Sequence, residues 1–470
     1  MNASTTDYYQ VYRKIWPQLV VFTLLSLVII FLKHALMPNL PTLVIGSVLR
    51  FYGKRRDMIL EGIAHSTNGN FSFRVGKKHI VNLGKLDGRQ TFFEAKGFSL
   101  SQGFVELLTG MVSSHEARED YGSAFFLKCI STLARAERLG KKLPLLTLDI
   151  QEFCRDLATN PALESFEGWK VIDVTQSFYL HLYKLIHRTV GITEIAEDEK
   201  LLFSTLRTFE QFDQNTSVAR IVFPWLITPK YVARFIAGAR LYTTITRIFN
   251  GRGKSGRLQD DIVQLFSDEE GGFDKFIKFT FSALASSVTM TGAAVTWLSL
   301  FLANSPKWQE KCRDEACLNE SLCIMSTGTF FRKNVSGTDI PIGSTGEVVP
   351  DGAYAVYLPD HVHMDPTLYP DPLKFDPSRF LVSTNQSKSV PRSFVGWGSG
   401  RHPCPGMRLA KLEINVLFVH LFPNFEFEFS DKRGLSKVGT LLSIDRNNLR
   451  PEKPHITAYI RYKLRGVNKP

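Results

Sequence analysis

Trp397-Gly398-Ser399-Gly400-Arg401-His402-Pro403-Cys404-Pro405-Gly406 is the stretch on which the fold turns. It sets one cysteine among glycines and prolines. Glycines let the backbone take positive φ and pass close to a flat object. Prolines remove N–H donors and stiffen the turn. Met407, Leu409, Ala410, Leu412, Ile414, Leu417 and Phe418 follow with helical spacing. A thiol at the start of that helix meets backbone N–H groups and the positive end of the helix dipole. Such a cysteine suits axial metal ligation as a thiolate. The plainer alternative is a buried free cysteine in an ordinary turn.

This loop resembles the haem-binding loop of cytochrome P450 enzymes, F-x-x-G-x-R-x-C-x-G. Trp397 stands at the Phe position, His402 at the Arg position, and Gly400, Cys404 and Gly406 match. The wording from Trp397 to Glu413 is most similar to filamentous-fungal members. The resemblance implies haem b (iron-protoporphyrin IX) with Cys404 as axial iron ligand. A proximal thiolate pushes electron density toward O–O cleavage. It implies cofactor contacts from Trp397, Gly400, His402 and Gly406 as well.

Outward from the loop, His361-Val362-His363-Met364-Asp365-Pro366 and Phe375-Asp376-Pro377-Ser378-Arg379-Phe380 follow the family's H-x-D-P and F-x-P-x-R-F patterns. Arg379 is thereby the late arginine of an ion triad that holds the haem loop. Glu320 matches that triad's carboxylate, but Cys323 stands where its middle arginine belongs. A buried charge that has lost a partner is costly. The segment between Lys307 and Asn319 is also shorter than the family pattern. Arg332 sits where some members contact a haem propionate.

Phe276 to Ala303 is apolar all round, which assigns it to the interior, and Asn304-Ser305-Pro306 ends it. In the family this helix crosses the distal haem face with A-G-x-D/E-T-T. Ser286-Ser287-Val288-Thr289-Met290-Thr291 occupies that place, without the acid and with Met290 at the key threonine. Thr289 and Thr291 are the candidate catalytic hydroxyls for proton relay, with Ser287 a third. The alternative is that they bond the preceding turn. Leu284, Ala285, Val288 and Met290 suggest a small apolar substrate.

The first part of the chain carries a different signal. Trp16 to Leu32 is free of charge, and Ala35-Leu36-Met37 extends it to the length of one membrane crossing. Lys33, Arg50, Lys54, Arg55 and Arg56 follow, which places the body in the cytosol. The expected organisation is a lumenal N-terminus over 1–15, a transmembrane anchor over 16–37 and a haem-thiolate catalytic domain over 38–470. Localisation is then the endoplasmic reticulum membrane, single-pass. Asn2-Ala3-Ser4 would be a glycosylation acceptor, making a glycoprotein.

Phe71–Val75 and His79–Leu83 flank Gly76-Lys77-Lys78 and predict a β-hairpin. Tyr121 to Leu139 predicts one helix, with Phe125, Phe126, Cys129, Ile130 and Leu133 on one side. Helical spacing recurs at Leu145–Phe153 and Phe178–Ile186. Val348–Val356 predicts strand, turn, strand; Phe425–Phe429 and His455–Ile460 predict strands. The fold class is mainly α with small β-sheets: a cytochrome P450 fold behind a single N-terminal transmembrane helix.

At 470 residues, 44% hydrophobic and 22% charged, the chain is globular in composition. Its net charge of +12 suits membrane lipid or an acidic protein surface. Lys and Arg are spread without a basic run, which argues against nucleic acid. Six cysteines without a CxxC pair suggest reduced thiols, Cys404 apart. The resemblance implies a monooxygenase oxidising a secondary-metabolite intermediate (terpenoid, indole- or peptide-derived). Electrons would come from NADPH through NADPH-cytochrome P450 reductase. Two alternatives stay open: a haem-thiolate isomerase that needs no dioxygen activation, and a family member without stable haem because of Cys323.

Overall fold

The computed structural model describes residues 43–109, 124–160, 168–216, 218–223, 226–267, 269, 271–310, 315–381, 390–440 and 443–465. The expected lumenal segment, the expected anchor over 16–37 and the expected acceptor at Asn2 lie outside them. The described residues are mainly helical, with four small sheets.

The helix Gly272–Ala303 runs through the largest core, with Phe276, Phe279, Ala283, Val288, Val295, Leu298 and Leu302 buried. It is the one helix among the described residues long and apolar enough to cross a membrane, and most of it is buried in protein. Around it pack Val174–Thr189, Glu315–Met325 and the cysteine helix Met407–Asn424. Gly292 makes one of these contacts possible: a Cβ there would come within 2.0 Å of the Tyr179 ring. Local sequence signals set several helix starts. Asp173 accepts from the Thr175 N–H at 2.8 Å, and Asp198 from the Leu201 N–H at 3.0 Å. Thr228 caps Tyr231 ahead of Pro229 in the first turn.

The largest sheet has five strands in the order Phe71–Val75, Lys78–Asn82, Tyr354–Tyr357, Phe330–Asn334, Phe98–Ser99. The expected hairpin is present, antiparallel, with Val75 opposite Lys78. A second sheet places Tyr459–Leu464 between Phe425–Ser430 and Lys170–Asp173.

Two expectations are corrected. The single helix expected over 121–139 is not formed by residues 124–139. Ala124–Leu133 ends, Arg135 turns extended (φ −62°, ψ 135°), and Ala136–Thr159 begins anew with the Leu139 N–H bonded to the Arg135 carbonyl. Arg138 is drawn to Asp260 at 2.6 Å, a partner that local periodicity does not reveal. The strand expected at 455–460 lies at Tyr459–Leu464 instead. Pairing to both neighbours starts only at Tyr459, and Ile456 is 82% exposed.

Candidate functional site

Gly398 and Gly400 adopt φ of 69° and 61° and fold the cysteine stretch into a tight hairpin, Ser399 opposite His402. Gly400 is pressed against the segment above it. A Cβ there would sit 2.2 Å from the Phe93 carbonyl oxygen, which accepts the Arg401 N–H at 2.9 Å. The Cys404 N–H donates to the Trp397 carbonyl at 2.7 Å and closes the loop. Gly406 caps the helix Met407–Asn424.

The Cys404 side chain is exposed, yet protein surrounds much of its thiol. Burial pushes the thiol pKa up, while backbone N–H groups of Gly406 and Met407 pull it down. The net direction is upward, and a bound metal cation would favour the thiolate.

Arg332 lies on the strand Phe330–Asn334, buried, with its guanidinium 4.9 Å from the centre of the Phe92 ring. Its Nη1 bonds the Phe331 carbonyl at 2.7 Å. His402 bonds the Phe98 carbonyl at 3.3 Å, and its pKa is lowered by burial and then by the charge of Arg332. The fold thus brings Arg332 and His402 together from distant parts of the sequence. An exposed thiol, with the His402 imidazole two residues before it and the Arg332 guanidinium beside that imidazole, is a donor set that fits an iron porphyrin with two carboxylates. Apart from its chain neighbours, no atom of the described residues lies within 4 Å of where a Gly406 Cβ would point, which leaves room for a flat ring.

Trp397 is held from the side. Its indole N–H donates to Asn319 at 3.2 Å, and Lys411 lies 5.5 Å from its ring centre. Glu320 is fully buried and pairs with Arg379 at 3.1 Å; the Asp376 N–H donates to the same oxygen at 2.9 Å. Its other oxygen, Oε2, has no hydrogen-bond partner among the described residues. Burial raises the Glu320 pKa to about 7, against the lowering effect of Arg379. Cys323 is buried with its thiol 3.9 Å from the His363 carbonyl.

On the long helix, Met290 is exposed, and Ser286 and Ser287, one turn before it, are half-buried on the same side. Ser286 bonds back to the Ser282 and Ala283 carbonyls. Thr289 and Thr291 are buried and do not share that open face. Thr289 Oγ1 lies 3.5 Å from Asp213 Oδ2, on the helix Glu199–Gln214, and Asp213 pairs with Arg450 at 2.7 Å. Leu284 and Val288, expected to face a substrate, are core residues. Asp213, Arg450 and Asn319 carry no motif and were not found from sequence; only spatial contact reveals them.

Residues 315–450 match the family model "Cytochrome P450". Cytochrome P450 monooxygenase nsrP of Aspergillus novofumigatus is 28% identical over 431 residues, covering 81% of each chain. Cytochrome P450 monooxygenase AacuE of Aspergillus aculeatus is 26% identical over 417 residues, 79% of this chain and 82% of that one. Among solved structures, retinoic acid bound cyanobacterial CYP120A1 shares the fold, with a TM-score of 0.68 at 16% identity, over 89% of this chain and 96% of that one. The cysteine loop lies inside the matched region, and over about four fifths of its length the chain is similar to these cytochrome P450 monooxygenases.

Proposed function

We propose that the protein is a membrane-anchored haem-thiolate monooxygenase that oxidises a small apolar secondary-metabolite intermediate, of terpenoid, indole or peptide origin. Dioxygen is the oxidant, and NADPH-cytochrome P450 reductase supplies the electrons. The anchor is 16–37, in the endoplasmic reticulum membrane, with 38–470 as the cytosolic catalytic domain. Haem b, when bound, supplies the oxygen activation.

The observation that carries this reading is the hairpin that presents an exposed Cys404 at the start of a helix, with Arg332 beside His402, two residues before it. Cys404 would ligate iron. His402 and Arg332 would hold the propionates, the guanidinium offsetting their charge and the imidazole donating a hydrogen bond. Trp397, Gly400 and Gly406 shape the cradle. Ser286, Ser287 and Met290 present an uncharged face to substrate. Thr289 would hold a proton at Oγ1, exchanged with Asp213, whose carboxylate is 21% exposed and so reaches solvent. Thr291 is the second hydroxyl available. Glu320 and Arg379 keep the loop's support in place.

The test is the dithionite-reduced carbon monoxide difference spectrum of membranes that contain the protein. A thiolate-type band, lost in Cys404→Ser, is expected. A band of the non-thiolate type, or none, would reject the haem-thiolate reading in favour of a family member without stable haem. The exposed Met290 supports a second reading, an isomerase that rearranges its substrate without dioxygen activation. Product formed without NADPH and reductase distinguishes it.

A further inference from the structure

Position 323 lacks the arginine expected between Glu320 and Arg379, yet a guanidinium does reach this place. Arg446 extends from a loop far along the chain toward the end of the helix Glu315–Met325. Its Nη1 and Nη2 donate to the Ile324 carbonyl at 3.1 and 3.2 Å. Nη1 also donates to Asp360 Oδ1 at 2.8 Å, and Nη2 lies 2.7 Å from Met364 Sδ. Asp360 is buried, and Arg56 binds its second oxygen. Arg446 is close enough to Cys323 for its charge to act on that thiol.

Arg446 therefore joins two elements: the helix Glu315–Met325 and the short helix Asp360–His363. Each carries one support of the cysteine loop. From the first, Asn319 accepts the Trp397 indole N–H. From the second, His363 Nε2 accepts the Val395 N–H at 3.0 Å. Trp397 in turn accepts the Cys404 N–H. The loop hangs from two side chains whose platforms meet at one guanidinium. A cation fixed by a buried carboxylate and a carbonyl is a rigid joint.

We propose that Arg446 is a positioning residue for the thiolate loop, taking the place of the arginine that Cys323 replaces. It acts through Asn319 and His363 and touches neither the ligand nor substrate. Its link to catalysis rests on the haem-thiolate reading; its effect on the loop does not.

The experiment is amide hydrogen exchange on the full chain, comparing wild type with Arg446→Leu and with the isosteric Asp360→Asn. Roughly tenfold faster exchange is expected in peptides that contain Val395 and Cys404, with the helix Val174–Thr189 unchanged. Adding Cys323→Arg to Arg446→Leu should slow the loop again. Wild-type exchange at the loop in both variants would overturn the proposal, as would uniform acceleration of every peptide. In a second arm, the thiolate-type share of the carbon monoxide spectrum, per haem bound, should fall in Arg446→Leu. Absence of that band from the wild type would strike the haem-thiolate reading and leave the exchange result to judge Arg446.

Discussion

Gly400 shows how much of the site is written in consecutive residues. Its positive φ and the 2.2 Å approach to Phe93 forbid a side chain. Gly400→Ala should cost about 1–3 kcal/mol from backbone strain, before any clash is relieved. Thermal melts against wild type measure it. Glu320 is the opposite case. Its pattern was readable, but its orphaned oxygen and raised pKa follow from what surrounds it. A carboxyl whose folded pKa lies above its unfolded value binds protons more tightly when folded. The stability this gives is present in acid and is lost as pH rises from the unfolded pKa of about 4.5 through about 7. Glu320→Gln removes that slope. Wild type should lose stability relative to Glu320→Gln across this window, by an amount on the order of 3 kcal/mol at most. Denaturant unfolding at pH 5 and pH 7.5 tests it; a constant difference between the two proteins would refute the assignment. Cys404 and the glycines were legible because loop geometry is a local demand. Arg446 and Asp213 were not, because the partners that give them meaning lie far away in sequence.

The long helix was legible as an element, since an all-round apolar pattern of that length has few other homes. Which way its hydroxyls face was not, because facing depends on neighbouring helices. Thr289 turns to Asp213 while Met290 faces the open side. If this pair delivers protons, Thr289→Ala and Asp213→Asn should each lower product formed per NADPH by about tenfold or more, within the range of general acid–base effects. The double variant should lose little beyond either single one, as expected of groups acting in series. Additive losses, or wild-type coupling in either single variant, would separate the pair from catalysis. The break between Ala124–Leu133 and Ala136–Thr159 was hidden for a related reason. No proline or glycine marks it, and Arg138 answers to Asp260 on a distant loop.

For the whole molecule, helical content, small sheets and a core around one helix followed from periodicity and from the family resemblance together. Sheet order did not, since strand pairing joins segments hundreds of residues apart. The anchor is a proposal about residues beyond those described. Deleting residues 1–37 should move the protein from carbonate-washed membranes toward the soluble fraction, with the carbon monoxide spectrum unchanged. Full retention on membranes would assign the attachment to another surface.

The three-stranded sheet has a further consequence, for synthesis. Its central strand, Tyr459–Leu464, is the last described strand to leave the ribosome, whereas Lys170–Asp173 is made early. The early strand must wait, without any strand partner, until residues 459–464 have emerged. Nascent chains stalled before residue 459 should therefore be held by chaperones and cut readily by proteases near residue 170, and those stalled beyond residue 465 should not.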